Sequence, residues 1–372
     1  MSKRVLIVAD KFKGTLSALS AAKSIQKGWK RKRPDDSIEL LPMSDGGDGF
    51  GEVISQLLGC NTAKSKSVNA AGEPVTVDWW WNSEKRIAVV ESARVIGLAM
   101  LEAGKHHPFN LDTFGLGVVL KTVFQKKPLK TLIGIGGSAT NDGGFGMARA
   151  LGWKFLDKQS NEITNWTNLD KLSAIEKPIE KIKCGNVIVA VDVQNLLLGK
   201  KGASRIYGPQ KGLKPDDIPI AEKALKRLVQ VVKQNLKIDF SKTPGSGAAG
   251  GLGYGLMTFV GAKPSSGFEL FSKLSRLENR IKKADIVITG EGALDCSTTM
   301  GKGVGEIAKL CKKYKVPCIA LAGKVVKSKQ IDTNFNLALG LTDITTLENA
   351  LSDAGYWLEK LAEKAAEEFC NA

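Results

Sequence analysis

Val5, Leu6, Ile7, Val8 and Ala9 form an unbroken apolar run, the pattern of a strand covered on both faces. It ends in Asp10-Lys11-Phe12-Lys13-Gly14. Apolar positions then recur at helical spacing through Ala18, Ala21, Ala22, Ile25 and Trp29, with Ser17 placed as the cap. Residues 38–43 read as a second strand. It empties into Ser44-Asp45-Gly46-Gly47-Asp48-Gly49, and a helix is predicted over 50–58. This βαβα alternation opens a doubly wound sheet.

The grammar changes after residue 66. Residues 75–81 and 86–91 alternate as strands and predict a hairpin around Asn82-Ser83-Glu84-Lys85. Trp79, Trp80 and Trp81 cannot all face one side of a strand, so at least one is expected to pack elsewhere, an interface included. A helix over 115–125, a strand over 129–135, a helix over 146–151, a strand over 186–191 and a long helix over 215–234 follow. Clean alternation returns with a strand at 285–289, a helix at 304–313, strands at 317–322 and 337–341, and a terminal helix near 347–368. The expected fold class is α/β with two domains. A Rossmann- or flavodoxin-like parallel-sheet domain, residues 1–66 and 283–372, is interrupted by a second α/β domain, residues 67–282. The length of 372 residues agrees with two cores rather than one.

Forty glycines concentrate attention on two loops. One is Gly136-Gly137-Ser138-Ala139-Thr140-Asn141-Asp142-Gly143-Gly144, after a predicted strand. The other is Gly245-Ser246-Gly247-Ala248-Ala249-Gly250-Gly251-Leu252-Gly253. Glycine-rich turns bare backbone N–H groups, which bind anions and phosphate above all. Neither loop matches the G-x-x-x-x-G-K-[ST] phosphate loop, and no G-x-G-x-x-G follows the first strand, which disfavours a P-loop kinase and a nicotinamide dehydrogenase. In open α/β sheets ligands sit beyond the carboxyl ends of the strands. Here those ends carry Asp10, Lys11 and Lys13, then Asp45 and Asp48, the 136–144 loop, Asp192, and Gly290-Glu291-Gly292. A single such Asp is most often a helix cap; recurrence at several strand ends is what points to chemistry.

The formal charge of +16 admits a nucleic-acid binder. The basic residues are spread along the chain, however. The densest group, Lys27, Lys30, Arg31, Lys32 and Arg33, ends a predicted helix, where cations complement the macrodipole. A field that steers an anionic substrate and ATP is the more economical reading, with a merely solvated basic face as its equal alternative. The six cysteines show no paired spacing and read as reduced thiols. Two adjacent histidines, His106 and His107, make a zinc site or a Ser-His-Asp triad improbable. No apolar run reaches the length of a membrane span, and a cytoplasmic protein is expected.

These stretches, in order, resemble the type-I glycerate kinases. That family's P-D-S-F-K-x-S/T-L-S-A stands here as residues 9–18, its A-D-G-G-E-G as 44–49, and its T-Y-G-x-G as 113–117. Its G-G-S-A-T-N-D-G-G is intact at 136–144. Its C-D-V-x-N-x-L-x-G appears at 191–199, F-G-P-Q-K-G at 207–212, P-G-x-G-A-A-G-G-L-G at 244–253 and T-G-E-G at 289–292. The chain departs from the family at Lys11 (Ser), Phe50 (Thr), Ala293 (Arg) and Ser297 (Gln). An arginine that clamped the acceptor carboxylate would be missing, with Lys11 a candidate substitute.

The resemblance implies ATP-dependent phosphorylation of glycerate, to 2-phosphoglycerate, in an interdomain cleft. Asp192 first, then Asp45, is expected to accept the proton, with Lys13, also in the catalytic set, on phosphate or the substrate carboxylate. Asp10, Lys11, Lys211 and Glu291 are expected to bind substrate. Gly136, Gly137, Ser138, Thr140, Asn141, Gly247, Gly250 and Gly251 are expected to bind nucleotide. Asp142 and Asp295 are candidate ligands for Mg2+. A kinase of a related hydroxy acid, or a nucleotide-binding member without turnover, are the alternatives. No specific nucleic acid or membrane partner is expected, and a homodimer is allowed.

Overall fold

The structure, a computed structural model, describes residues 2–180, 182–295, 298, 303–326 and 328–371. The chain divides into two units: Met1–Asp45 with Phe268–Ala372, and Gly46–Gly267.

The first unit is built on β1 (Arg4–Ala9), β2 (Ser37–Leu40), β11 (Ile286–Leu294), β12 (Cys318–Val325) and β13 (Leu337–Gly340). Every pairing is parallel, in the order β13-β12-β11-β1-β2. Counted within the unit this is 2-1-3-4-5, the flavodoxin-like order, whose switch point lies between β1 and β11. Val5, Ile7, Ala9, Ile288, Ile319 and Leu321 are buried against helices Ala18–Lys32 and Ala354–Asn371. The first of these begins at Ser17, whose hydroxyl accepts the Ser20 N–H at 3.1 Å, and buries the predicted face through Trp29. A Cβ at Gly28 would fall 2.0 Å from the Glu359 carbonyl oxygen, so only glycine allows so close a crossing. The dense basic group is absorbed there: Lys27 and Arg31 pair with Glu359 at 3.2 and 2.7 Å, and Lys32 pairs with Glu363 and Glu367. Its charges face an acidic stripe of the same unit.

The second unit holds β3 (Asn61–Val68), β4 (Pro74–Asn82), β5 (Ile87–Glu91), β6 (Lys130–Gly134), β9 (Asn186–Ala190) and β10 (Lys263–Ser265), in the order β10-β9-β6-β5-β4-β3. From β10 to β5 the strands run parallel, and β4 and β3 add an antiparallel edge. A separate ribbon pairs β7 (Lys154–Leu156) with β8 (Ala174–Glu176). The predicted hairpin is β4–β5. Its tryptophans are all used in packing: Trp79 is buried and donates to Ser65 Oγ at 2.9 Å, Trp81 packs on the same core, and Trp80 lies on the opposite face.

The units divide at 45/46 and 267/268 rather than near 66 and 282, and Trp80 accounts for the first of these. A Cβ at Gly51 would fall 1.9 Å from the Trp80 ring, and one at Gly134 2.6 Å from the Phe50 ring. Helix Phe50–Leu58 therefore lies on the second sheet, although in sequence it follows β2. Likewise Arg280 pairs with Glu39, and Tyr314 donates to Glu278, which ties helix Leu277–Lys283 to the first unit. Among the described residues no helix is long and apolar enough to cross a membrane, and Cys60, Cys184, Cys311 and Cys318 are free thiols.

Candidate active site

In the first unit the candidate side chains gather at the switch point. Asp10 follows β1, and its N–H donates to Gly290 O at 2.8 Å. Its Oδ1 accepts the Lys11 N–H at 2.7 Å. The path after β2 stays beside β1, with Met43 N–H donating to Ala9 O, and so delivers Asp45 to the same edge. Lys11 Nζ lies 3.8 Å from Asp45 Oδ1. Glu291, on β11, accepts from the buried Thr298 hydroxyl at 2.8 Å. Burial, followed by the Asp45 charge, pushes Asp10 up to about 7 against the pull of Lys11, with Glu291 adding to the rise. Lys13 is exposed, in a tight turn that Gly14 allows with φ +82°. Ala293 is exposed on β11. Ser297, the other departure on this stretch, and Cys296 lie outside the described residues.

In the second unit the parallel strands end on one edge at Glu91, Gly134, Ala190 and Ser265, and Gly136, Gly137, Asp192 and Ser266 follow just beyond those ends. Asp192 is exposed, and its Oδ1 accepts the Gly267 N–H at 3.0 Å and faces Ser266 Oγ at 3.4 Å. Its Oδ2 lies against Gly46, where a Cβ would come within 3.1 Å. Asp192 thus touches both the first and the last residue of this unit.

The 136–144 loop is mostly interior. Gly137 is exposed and Gly136 half-buried, while Ser138, Thr140, Asn141 and Asp142 are buried. Ser138 Oγ bonds Thr140 Oγ1 at 2.9 Å, and Asn141 Nδ2 donates to Ser204 Oγ at 2.9 Å. Those hydroxyls and that amide hold the loop rather than face solvent. Asp142 accepts from Thr113 N–H and Oγ1–H and from the Gly144 and Gly146 N–H groups, at 2.7 to 3.1 Å. Fully enclosed and saturated with donors, it does not fit a magnesium ion and acts as an internal anchor. Lys211 is enclosed too: its ammonium donates to Thr140 O at 2.6 Å, and burial pushes it down to about 7 against the Asp142 charge. It braces the loop from beneath.

The second glycine run is packed inward in the same way. Gly247, Gly250 and Gly251 are buried. Ala249, Gly250 and Gly251 are consecutive left-handed residues, and a Cβ at Gly250 would fall 1.9 Å from Thr140 O. Gly143 N–H donates to Gly250 O at 3.1 Å. These glycines permit backbone-on-backbone packing of one loop on the other.

Sequence reasoning did not single out Glu91 or Thr113. Glu91 is buried, and its two oxygens accept the Gly49 and Gly51 N–H groups at 2.9 Å each. Thr113 Oγ1 also accepts the Met147 N–H at 2.8 Å. A carboxylate ending an apolar strand was the available signal for Glu91.

Two strand-end clusters are therefore present, one acidic with a lysine, the other a glycine turn beside carboxylates. The model of the glycerate kinase family matches residues 5–370. The chain belongs to the glycerate kinase family. It is 36% identical over 363 residues to an Escherichia coli protein named glycerate 2-kinase, covering 94% of each chain. It is 35% identical to a glycerate kinase of Halalkalibacterium halodurans, covering 97% of each. A crystal structure of a Salmonella typhimurium protein assigned as glycerate kinase 2 superposes with a TM-score of 0.84 at 32% identity, covering 100% of this chain and 99% of that one. This glycerate kinase family member is accordingly an enzyme of the kinase class. Among the described residues no three His, Cys, Asp or Glu side chains come together as a metal cage. Of the two expected magnesium ligands only Asp295, half-buried after β11, keeps that candidacy.

Proposed function

We propose that the enzyme transfers the terminal phosphoryl group of ATP to glycerate, giving 2-phosphoglycerate. The near full-length similarity to a protein named glycerate 2-kinase carries this reading. Phosphoryl transfer asks a protein chiefly for positioning and charge neutralisation. Lys11, set beside Asp10 and Asp45, suits the acceptor's carboxylate, and a protonated Asp10 can donate to it. Gly136 and Gly137 offer backbone donors to phosphate oxygens. Asp192 takes the proton of the attacking hydroxyl as the new oxygen–phosphorus bond forms. The bond to the bridging oxygen breaks in the same step, and its electron pair leaves on ADP. Magnesium, when bound with ATP, neutralises phosphate charge; Asp295 is the residue proposed to approach it.

Ala293, where the family has arginine, favours a second reading in which a related hydroxy acid is the acceptor. ADP release measured with glycerate and with other small hydroxy acids separates the two. Release with glycerate well above the others supports the first reading, and the reverse order supports the second.

Gly137 tests the nucleotide site. Its φ is +75°, and a Cβ would fall 2.3 Å from Asp48 Oδ1. Gly137→Val should abolish the rise in unfolding temperature that ATP gives the wild type. Undiminished protection would remove this turn from the nucleotide site.

A further inference from the structure

Glu91 ends β5 as a buried carboxylate with both oxygens engaged, one by Gly49 N–H and one by Gly51 N–H. It thereby occupies the N-terminus of helix Phe50–Leu58, the place where an anion would otherwise settle. The segment it grips is seated on the nucleotide turn. Gly136 N–H reaches Gly46 O at 3.3 Å, a Cβ at Gly136 would fall 2.5 Å from Gly47 Cα, and Asp48 Oδ1 lies against Gly137. Glu91 is also in register with Gly134, the last residue of β6 before that turn, and Gly134 packs under Phe50. Behind it Arg94 Nε stands 3.7 Å from Glu91 Oε2, bonds Glu52 and stacks 5.1 Å over Trp80. One carboxylate therefore joins the helix, the 46–49 segment and the strand that feeds the turn.

We infer that Glu91 is a positioning residue for nucleotide binding: it holds the 46–49 segment against Gly136 and Gly137, and so fixes the turn that receives the phosphates. This rests on the glycerate kinase reading above. Glutamine at 91 keeps one acceptor but turns an NH2 toward a backbone N–H, releasing one end of the grip. A residue that only stabilised the fold would lower the unfolding temperature and leave the Michaelis constants of the surviving enzyme alone.

The test is steady-state kinetics of full-length wild type, Glu91→Gln and Glu91→Asp with ATP and glycerate, beside thermal unfolding. Expected for Glu91→Gln is a KM for ATP raised about tenfold, the loss of one charge-assisted hydrogen bond, with the KM for glycerate unchanged. Should that variant not fold, Glu91→Asp, which draws the charge back by one methylene, is read instead, with a several-fold rise in the KM for ATP expected. A wild-type KM for ATP in the folded variants, or an equal rise for both substrates, overturns the inference. Wild-type protein that releases no ADP with glycerate overturns the parent reading, and the inference falls with it.

Discussion

Asp192→Asn should lower kcat about a hundred- to ten-thousand-fold, the span that general acid–base groups contribute, while the protein folds normally. The asparagine oxygen can still accept the Gly267 N–H that Asp192 Oδ1 holds at 3.0 Å, so the end of the second unit keeps its anchor. What disappears is the basicity. The KM for ATP should change little, because the turn proposed to receive the nucleotide is Gly136 and Gly137. Coupled ADP-release kinetics and thermal unfolding on the same preparation check this. Turnover near the wild-type rate would take Asp192 out of the proton-accepting role and pass it to Asp45.

The second large effect is one of pH. Asp10 is pushed up to about 7 by burial and by Asp45, against the pull of Lys11. Below that value it is neutral and can donate to the acceptor carboxylate proposed to bind beside it. Above it, Asp10 adds a negative charge beside Asp45 and Glu291 and repels an anionic acceptor. The KM for glycerate should therefore rise as pH increases through 7. Asp10→Asn, neutral at every pH, should flatten that rise. The same shift bears on stability. Between the ordinary aspartate range and about 7 the folded protein keeps a proton that the unfolded chain has released, so the unfolding free energy falls as pH climbs through that window. A glycerate KM that stays level from pH 6 to 8 in the wild type would contradict this assignment.

The sheet of the first unit was legible because β1, β11 and β12 are covered on both faces and read as apolar runs. The edge strand β3 was not: Asn-Thr-Ala-Lys-Ser-Lys-Ser-Val from Asn61 is polar, as an edge that must resist pairing with other chains tends to be. The division at residue 46 was hidden for a related reason. Whether helix Phe50–Leu58 covers the first sheet or the second depends on Gly51 meeting Trp80, a long-range fit that local periodicity does not carry.

In each unit, the strand-end positions of Asp10, Asp45 and Glu291 and of Asp192 followed from the alternation of elements. The roles of glycine and hydroxyl residues did not. Glycine is selected both where a ligand approaches and where backbone packs on backbone, and composition does not separate the two. Gly137 is exposed, whereas Gly250 is pressed on Thr140. Asp142 was a candidate metal ligand as a carboxylate in a glycine loop, and Lys211 a candidate substrate ligand through the family motif at 207–212. Here each is buried with a partner already in place: Asp142 accepts from Thr113 and Gly146, and Lys211 donates to Thr140 O.

Phosphorus NMR of wild-type protein incubated with D-glycerate, ATP and magnesium tests the central claim most directly. Expected is a phosphate monoester signal matching 2-phosphoglycerate, growing in step with ADP and absent without glycerate. ATP left intact, or ADP formed at the same rate with and without glycerate, would contradict it.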